Sequence, residues 1–387
     1  MKKKIFSIII VVSILFLCLF YYLKMKNKNL NNKKVILLFN WGEYIEPSII
    51  KEYNEQSDKF IIKQSFFSSN ELAVNKIKAG NKYDIAILSE YAIEQLKDNH
   101  LEKIDNKFLK LPEFDNNFSN TFKKKIDEQI FTFTIPYFYG NLGLLYKKNK
   151  FPEKENKKSE LPKKWKDFII NPEYKIALYN NAFEGMFIGL KAINEDDKDI
   201  NKNSKQDIEK AKKWLIDLKR KNINLSFITD QLLDRMKIEN NEYYDIAVAY
   251  SGDARYLMKQ NNNLEYYPFT NEGTNIWFDG LVLPKESKKE GAYDFINFLL
   301  KTENIQKNND FINYDSPYVG ITKNDHRLEL EINDKDKIYK YDETYKKQIS
   351  DAWNEIYSYP DPKDKYLIIL GLIILFLFLL IYIFIKI

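Results

Sequence analysis

The chain has 387 residues, 44% hydrophobic and 30% charged, with a formal net charge of +5. That length suffices for two domains of ordinary size, and charge of mixed sign with no basic block argues against nucleic acid as a partner. A single cysteine, Cys18, excludes disulfides within the chain and thiolate metal sites.

Lys2 to Lys4 precede an apolar run from Ile5 to Leu23, the pattern of an export signal. Leu15 suits a lipobox ending at Cys18, but Leu17 is bulkier than the Gly or Ala that usually precedes a lipidated cysteine. No small-x-small cleavage pattern follows. An uncleaved signal anchor over residues 1–26 is expected, because its 19-residue apolar run Ile5 to Leu23, at about 1.5 Å per residue, nearly crosses a hydrocarbon core of about 30 Å.

Val35 to Phe39 reads as an apolar strand that breaks into Asn40, Trp41, Gly42, Glu43 and Tyr44. Pro47 opens a helix at a favoured first-turn position. Phe60 to Phe67 is strand-like, and Ser69 or Asn70 caps a helix that Gly80 ends. "YDIAILS", Tyr83 to Ser89, is a short strand with a helix after it. This βαβαβ order predicts a parallel sheet covered by helices. Phe131 to Gly140 reads as a strand that breaks at Pro136. The charged stretch Lys148 to Lys164 is expected on the surface. "KIALYN" leads into a helix over Ala182 to Ile193, where Asn181 and Glu184 fit an N-cap and its capping-box partner. Ile208 to Lys221 is amphipathic. "YDIAVAYSG", Tyr244 to Gly252, repeats the form of the earlier strand. Asn275 to Pro284 is a strand, Ala292 to Leu300 a short apolar helix, and Asp325 to Asp342 a charged loop or linker. Tyr366 to Ile385 carries no charge over 20 residues, and a transmembrane helix is expected over 366–386.

No enzymatic chemistry is legible. His100 and His326 lack partners at metal-ligand spacing, and no phosphate loop, dinucleotide fingerprint or nucleophile elbow appears. No cofactor or metal is expected. Strand ends instead collect aromatic and acidic residues. Trp277 and Asp279 share one face of an extended run. Ser89 and Tyr91 end another strand, Tyr250, Gly252 and Asp253 a third, and Trp41 and Tyr44 a fourth. Ligands of open α/β sheets bind beyond the carboxyl ends of the strands. Aromatic faces with carboxylates suit an alkylammonium, whose methylenes pack on rings and whose cationic ends pair with acids. A sugar is the nearest competitor, since sugars also stack on aromatics. Singly, each residue has a plainer role: Ser89 as a turn residue, Asp253 as a helix cap, Gly42 as the residue that permits a turn or a close approach to ligand.

Taken together, "FNWGEYI", "YDIAILSEY", "IPYFYGNLGLLY", "YNNAFEGM", "AYSGDARY", "WFDGLVLP" and "YDFINFLL" resemble, in order and spacing, the spermidine/putrescine-binding proteins of bacterial ABC transporters. The resemblance covers about Val35 to Gly320. It implies an α/β, two-lobe periplasmic-binding-protein-like (type II) fold with hinge crossovers. The expected division is 35–138 with 279–305 as lobe 1 and 139–278 with 306–360 as lobe 2, flanked by the two transmembrane helices. Carried over by position, Trp41, Tyr44, Ser89 and Tyr91 line the first lobe. Asn181, Glu184, Tyr250, Asp253, Trp277 and Asp279 come from the second lobe and the hinge. Spermidine-preferring members have an acid in place of Asn181, and Trp in place of Tyr250. Asp253 matches the pattern of putrescine-preferring members, so the acidic set Glu184, Asp253 and Asp279 leans toward a diamine or mixed specificity.

The resemblance thus implies a membrane-tethered, extracytoplasmic polyamine-binding component. It is not an enzyme, and it passes putrescine or spermidine to permease subunits driven by a cytoplasmic ATPase. Alternatives are the same fold binding another solute such as a sugar, or a surface or adhesion domain without transport.

Overall fold

The structure, a computed structural model, describes residues 33–116, 118–151, 164–194, 199–228, 235–238, 243–269, 272–321, 330, 332–360 and 371–377. In chain order the elements are β1 (Lys34–Trp41), α1 (Pro47–Gln56), β2 (Phe60–Phe67), α2 (Asn70–Lys78), β3 (Ile85–Ser89), α3 (Glu90–His100), β4 (Thr134–Lys147), α4 (Trp165–Ile169), β5 (Ile176–Tyr179), α5 (Ala182–Ile193), α6 (Lys205–Lys221), β6 (Leu225–Ile228), β7 (Ile246–Tyr250), α7 (Ser251–Gln260), β8 (Leu264–Tyr267), β9 (Ile276–Val282), α8 (Lys289–Leu299), α9 (Thr302–Ile312) and α10 (Glu343–Ser358).

The chain forms two compact α/β units. Unit 1 comprises Met1–Glu113, Gln129–Pro136 and Gly280–Phe311; unit 2 comprises Phe114–Glu128, Tyr137–Asp279 and Ile312–Ile387. The chain passes from one unit to the other within β4, after Pro136, and within β9, after Asp279.

In unit 1, β1 pairs in parallel with β2, from Lys34 opposite Phe60 to Trp41 opposite Phe67, and with β3 on its other edge. The sheet is apolar on both faces, as parallel sheets between helices are: Ile36, Leu38, Phe39 and Ile85 to Leu88 are fully buried. Ser69 caps α2 by accepting from Leu72 N, which leaves the side chain of Asn70 for another task.

In unit 2, β4 pairs antiparallel with β7 and with β8, β7 pairs in parallel with β5, and β5 with β6. Helices α5, α6 and α10 pack on one another. Buried Lys219 of α6 donates to the carbonyls of Ile356, Tyr357 and Tyr359, the open C-terminal end of α10. Lys212 of α6 bridges Glu209 and Glu355.

The two "YDIA" strands share a device. Asp84, just before β3, donates its N–H to Leu37 O, and its carboxylate accepts from Leu37 N at 2.8 Å. Asp245, just before β7, donates its N–H to Lys175 O, and its carboxylate accepts from Lys175 N at 3.1 Å. A lysine stands by each, Lys288 Nζ at 3.4 Å from Asp84 and Lys147 Nζ at 3.6 Å from Asp245.

Four expectations are corrected. The flanking transmembrane helices are not supported: among the described residues no helix is long and apolar enough to cross a membrane. The N-terminal run and most of 366–385 lie outside the described residues, and the part that is described, 371–377, is helical for seven residues. At about 1.5 Å per residue that is roughly a third of a hydrocarbon core. Second, β4 does not break at Pro136 but runs through it from Thr134 to Lys147, Pro136 being the last residue before the change of unit. Third, Gly42 is not what the turn after β1 requires. A Cβ there would meet nothing, and the left-handed residue is the exposed Glu43, at φ 53°. Fourth, Glu184 makes no capping box with Asn181. Asn181 caps α5 alone, accepting from Phe183 N at 3.0 Å.

Candidate functional site

Six of the ten candidate residues belong to unit 2, and four of these six, Glu184, Tyr250, Asp253 and Trp277, converge there on one cluster. Strands β5 and β7 are parallel neighbours, so Tyr179 and Tyr250 emerge together at their carboxyl ends. Their rings lie 4.9 Å apart at 30°. Trp277 of β9 stands edge-to-face with Tyr250, at 5.8 Å and 80°, and with Tyr314, at 4.9 Å and 81°. Tyr179, Tyr250, Trp277 and Tyr314 thus make a continuous aromatic wall. Trp277 is half-buried, and its Nε1 has no hydrogen-bond partner among the described residues.

The acids are set into this wall. Tyr250 donates its phenol O–H to Glu184 Oε1 in the first turn of α5. Asp253, in the first turn of α7, does not cap its helix. Its Oδ2 accepts from Tyr179 at 3.1 Å and its Oδ1 from Tyr314 at 3.1 Å. Tyr179 also accepts from Tyr250 N at 3.3 Å. Asp279 is buried on β9, two residues beyond Trp277 and on the same face. Arg255, two residues along α7 from Asp253, is committed elsewhere: it holds Asp315 at 2.7 Å and donates to Asn313 O at 2.9 Å. Those two residues bracket Tyr314, so the guanidinium fixes the segment that delivers Tyr314 to Asp253.

Electrostatics follow from this packing. Burial pushes the Asp253 carboxyl up to about 6, although both phenol hydrogen bonds pull it down. Burial, and then the negative field of Asp253, hold the Tyr179 and Tyr314 phenols well above their ordinary range, with Asp279 adding to the effect on Tyr314. The phenols therefore stay donors, and Asp253 is the group that titrates. Backbone space is equally committed. A Cβ on Gly252 would overlap the Tyr314 ring, so only glycine lets Tyr314 lie against the start of α7.

The other four candidates lie in unit 1, at the carboxyl end of its parallel sheet. Trp41 packs on Phe67, with centroids 4.5 Å apart. Ser89 and Tyr91 are joined by one side chain: Asn70 Nδ2 donates to Ser89 Oγ at 2.9 Å and to Tyr91 O–H at 3.0 Å, while Asn70 Oδ1 accepts from Ser89 N at 3.2 Å. Tyr44 is buried.

Asn181 precedes α5, three residues before Glu184, and its amide oxygen is engaged in the helix cap. Sequence reading missed Tyr179, Tyr314 and Asn70. Tyr179 and Tyr314 are 74 and 61 residues from Asp253 along the chain, and no local motif links them. The one available signal for Tyr179 was its place at the end of a strand beside "YDIAVAY".

Residues 48–324 match the bacterial extracellular solute-binding protein family. The chain is 24% identical over 307 residues to the spermidine/putrescine-binding periplasmic protein of Salmonella typhimurium, covering 78% of this chain and 82% of that one. It is 23% identical over 351 residues to the putrescine-binding periplasmic protein SpuD of Pseudomonas aeruginosa, covering 85% and 88%. Among solved structures, the spermidine/putrescine ABC transporter substrate-binding protein PotD of Streptococcus pneumoniae superposes with a TM-score of 0.65 at 30% identity, covering 84% of this chain and 99% of that one. A putative spermidine/putrescine ABC transporter protein of Listeria monocytogenes superposes with a TM-score of 0.69 at 27% identity, with the same coverage. The matched proteins are substrate-binding components rather than enzymes. The chain belongs to the bacterial extracellular solute-binding proteins, and within them to the spermidine/putrescine-binding family of ABC transporters.

Proposed function

We propose that this chain captures a short polyamine, putrescine in preference to spermidine, and delivers it to permease subunits driven by a cytoplasmic ATPase. The observation that supports this most is the unit 2 cluster: buried or half-buried carboxylates of Glu184, Asp253 and Asp279 behind a wall of Tyr250, Trp277 and Tyr314. An ammonium brings a cation with several N–H donors to Asp253, which otherwise accepts from two neutral phenols, and the rings attract it at about 0.5–2 kcal/mol each. The nearby guanidinium of Arg255 does not compete, because Asp315 holds it. The ten residues named from the sequence are the proposed ligand contacts, with Asn181 the weakest member because it already caps α5. A sugar suits the rings, but a neutral ligand brings no counter-charge to the desolvated Asp253 carboxylate, which accepts from two neutral phenols.

Titration calorimetry against putrescine, cadaverine, spermidine, spermine and a panel of neutral sugars tests the reading. Saturable binding of a diamine is expected, weakened about tenfold to hundredfold by Asp279→Asn, the range for a hydrogen bond to a charged partner. No heat and no thermal shift with any of the four amines at millimolar concentration overturns it. A sugar response that survives Asp279→Asn replaces it with the neutral-solute reading.

A further inference from the structure

The geometry points to Tyr179 as a positioning residue that holds Asp253 in its ion-pairing orientation and keeps it ionised for an ammonium ligand. The inference rests on the polyamine reading, but its central measurement does not.

Tyr179 makes two bonds that only a phenol of this length makes together. Its hydroxyl accepts from Tyr250 N at 3.3 Å and donates to Asp253 Oδ2 at 3.1 Å. The acceptor bond ties the ring to the carboxyl end of β7, and the donor bond then fixes the side chain of α7 that follows. Its ring also packs at 4.9 Å, tilted by 30°, on Tyr250, the residue whose own hydroxyl engages Glu184. One side chain therefore sets the direction of Asp253 and supports the partner of Glu184.

Asp253 needs this support because its surroundings carry little to hold a charge. Tyr179 from β5 and Tyr314 from the segment after α9 donate to it. Glu184 from α5 and Asp279 from β9 add negative field to the phenols around it, and Tyr266 of β8 feels Asp253 as well. Arg255, on the same helix, is paired with Asp315. Burial outweighs the two phenol bonds, so the carboxyl titrates at about 6. Each O–H that donates to a carboxylate favours its charged form. Removing the Tyr179 hydroxyl leaves Tyr314 as the single phenol donor and moves the titration upward, toward the working pH. A residue that merely fills space has no such effect on protonation.

The test measures the ligand-free protein first. Carbon-detected NMR follows the Asp253 carboxyl between pH 4 and 9 in the wild type and in Tyr179→Phe, with Asp253→Asn assigning the signal. The midpoint is expected to rise from about 6 in Tyr179→Phe. Putrescine affinity is then measured over the same range. The wild type should lose affinity as pH falls through about 6. Tyr179→Phe should bind about tenfold more weakly at pH 7.5, the lower end for a hydrogen bond to a charge, and should lose affinity at higher pH than the wild type. Asp253→Asn should bind weakly with no acid limb. An unmoved carboxyl midpoint in a folded Tyr179→Phe overturns the inference, as does uniform weakening with the acid limb in place. A wild type that binds no amine while the midpoint still shifts overturns the polyamine reading instead. If Tyr179→Phe proves too unstable, Tyr179→Gln, which retains a donor, should keep the midpoint closer to the wild type than Tyr179→Leu does. Equal midpoints in Gln and Leu overturn the inference.

Discussion

Asp253 shows how a proposed ligand contact can be a liability to its own fold. Its carboxyl titrates at about 6 in the folded chain, against 3.8 for an ordinary Asp. Burial favours the neutral form. The stability Asp253 confers is therefore full below pH 3.8 and is lost as pH rises through about 6. Asp253→Asn is expected to raise the melting temperature of the ligand-free protein at pH 7.5 by a few degrees, ~1–2 kcal/mol, because it removes a buried charge, the gain being held down because Asn keeps one acceptor for the phenols but not two. The gain should vanish near pH 4, and a lower melting temperature than wild type at pH 7.5 contradicts the argument. Asn181 gives a second residue-level prediction. Both Asn and Asp cap helices well, so Asn181→Asp should leave stability nearly unchanged while adding a fourth acid beside the cluster. The ratio of spermidine to putrescine affinity is expected to rise. A constant ratio assigns Asn181 to the cap alone.

At the scale of elements, close approach of backbone and ring sets the cluster. Gly252→Ala forces Tyr314 away from α7. It should cost about 1–3 kcal/mol of stability, the range for overpacking, and weaken diamine binding as well. An alanine variant that binds like the wild type shows that Tyr314 is dispensable. Lys219→Met is the contrasting case. It strips three donors from the end of α10 and should lower stability by about 1–3 kcal/mol with the diamine dissociation constant unchanged in calorimetry. Elements of this kind were legible in the sequence where local chemistry decides them. Pro47, Ser69 and Gly80 mark helix ends by capping and backbone rules, and the apolar runs at β1, β3 and β7 mark buried strands. Contacts that join distant segments were not legible. Tyr179 and Tyr314 read as ordinary strand-end and loop aromatics until folding brings both to Asp253. Glu184 fitted a capping box by spacing alone, and the structure gives its carboxylate to Tyr250 instead. Pro136 looked like a strand break because it lacks a donor, yet β4 continues through it.

For the whole molecule, the measurable consequence of the proposed contact between ligand and the titrating Asp253 is coupling between pH and ligand-dependent stability. A diamine at a hundred times its dissociation constant should add about 2.7 kcal/mol to the unfolding free energy. That thermal shift should be clear at pH 7.5 and small at pH 5, where Asp253 is protonated. A shift that is equal at both values would mean that Asp253 does not touch the ligand.

The paired aspartates before β3 and β7 also bear on assembly. A strand that slips by one residue turns every side chain to the opposite face. Asp84 and Asp245 guard against this, each locking its strand to a neighbour through one N–H donated and one N–H accepted. Five residues further on, those strands end in Ser89 and Tyr250. The address of each candidate ligand contact is thus written at the opposite end of its strand, about 17 Å away at 3.3 Å per residue. Damage to Asp84 or Asp245 would misdirect these proposed contacts without touching them.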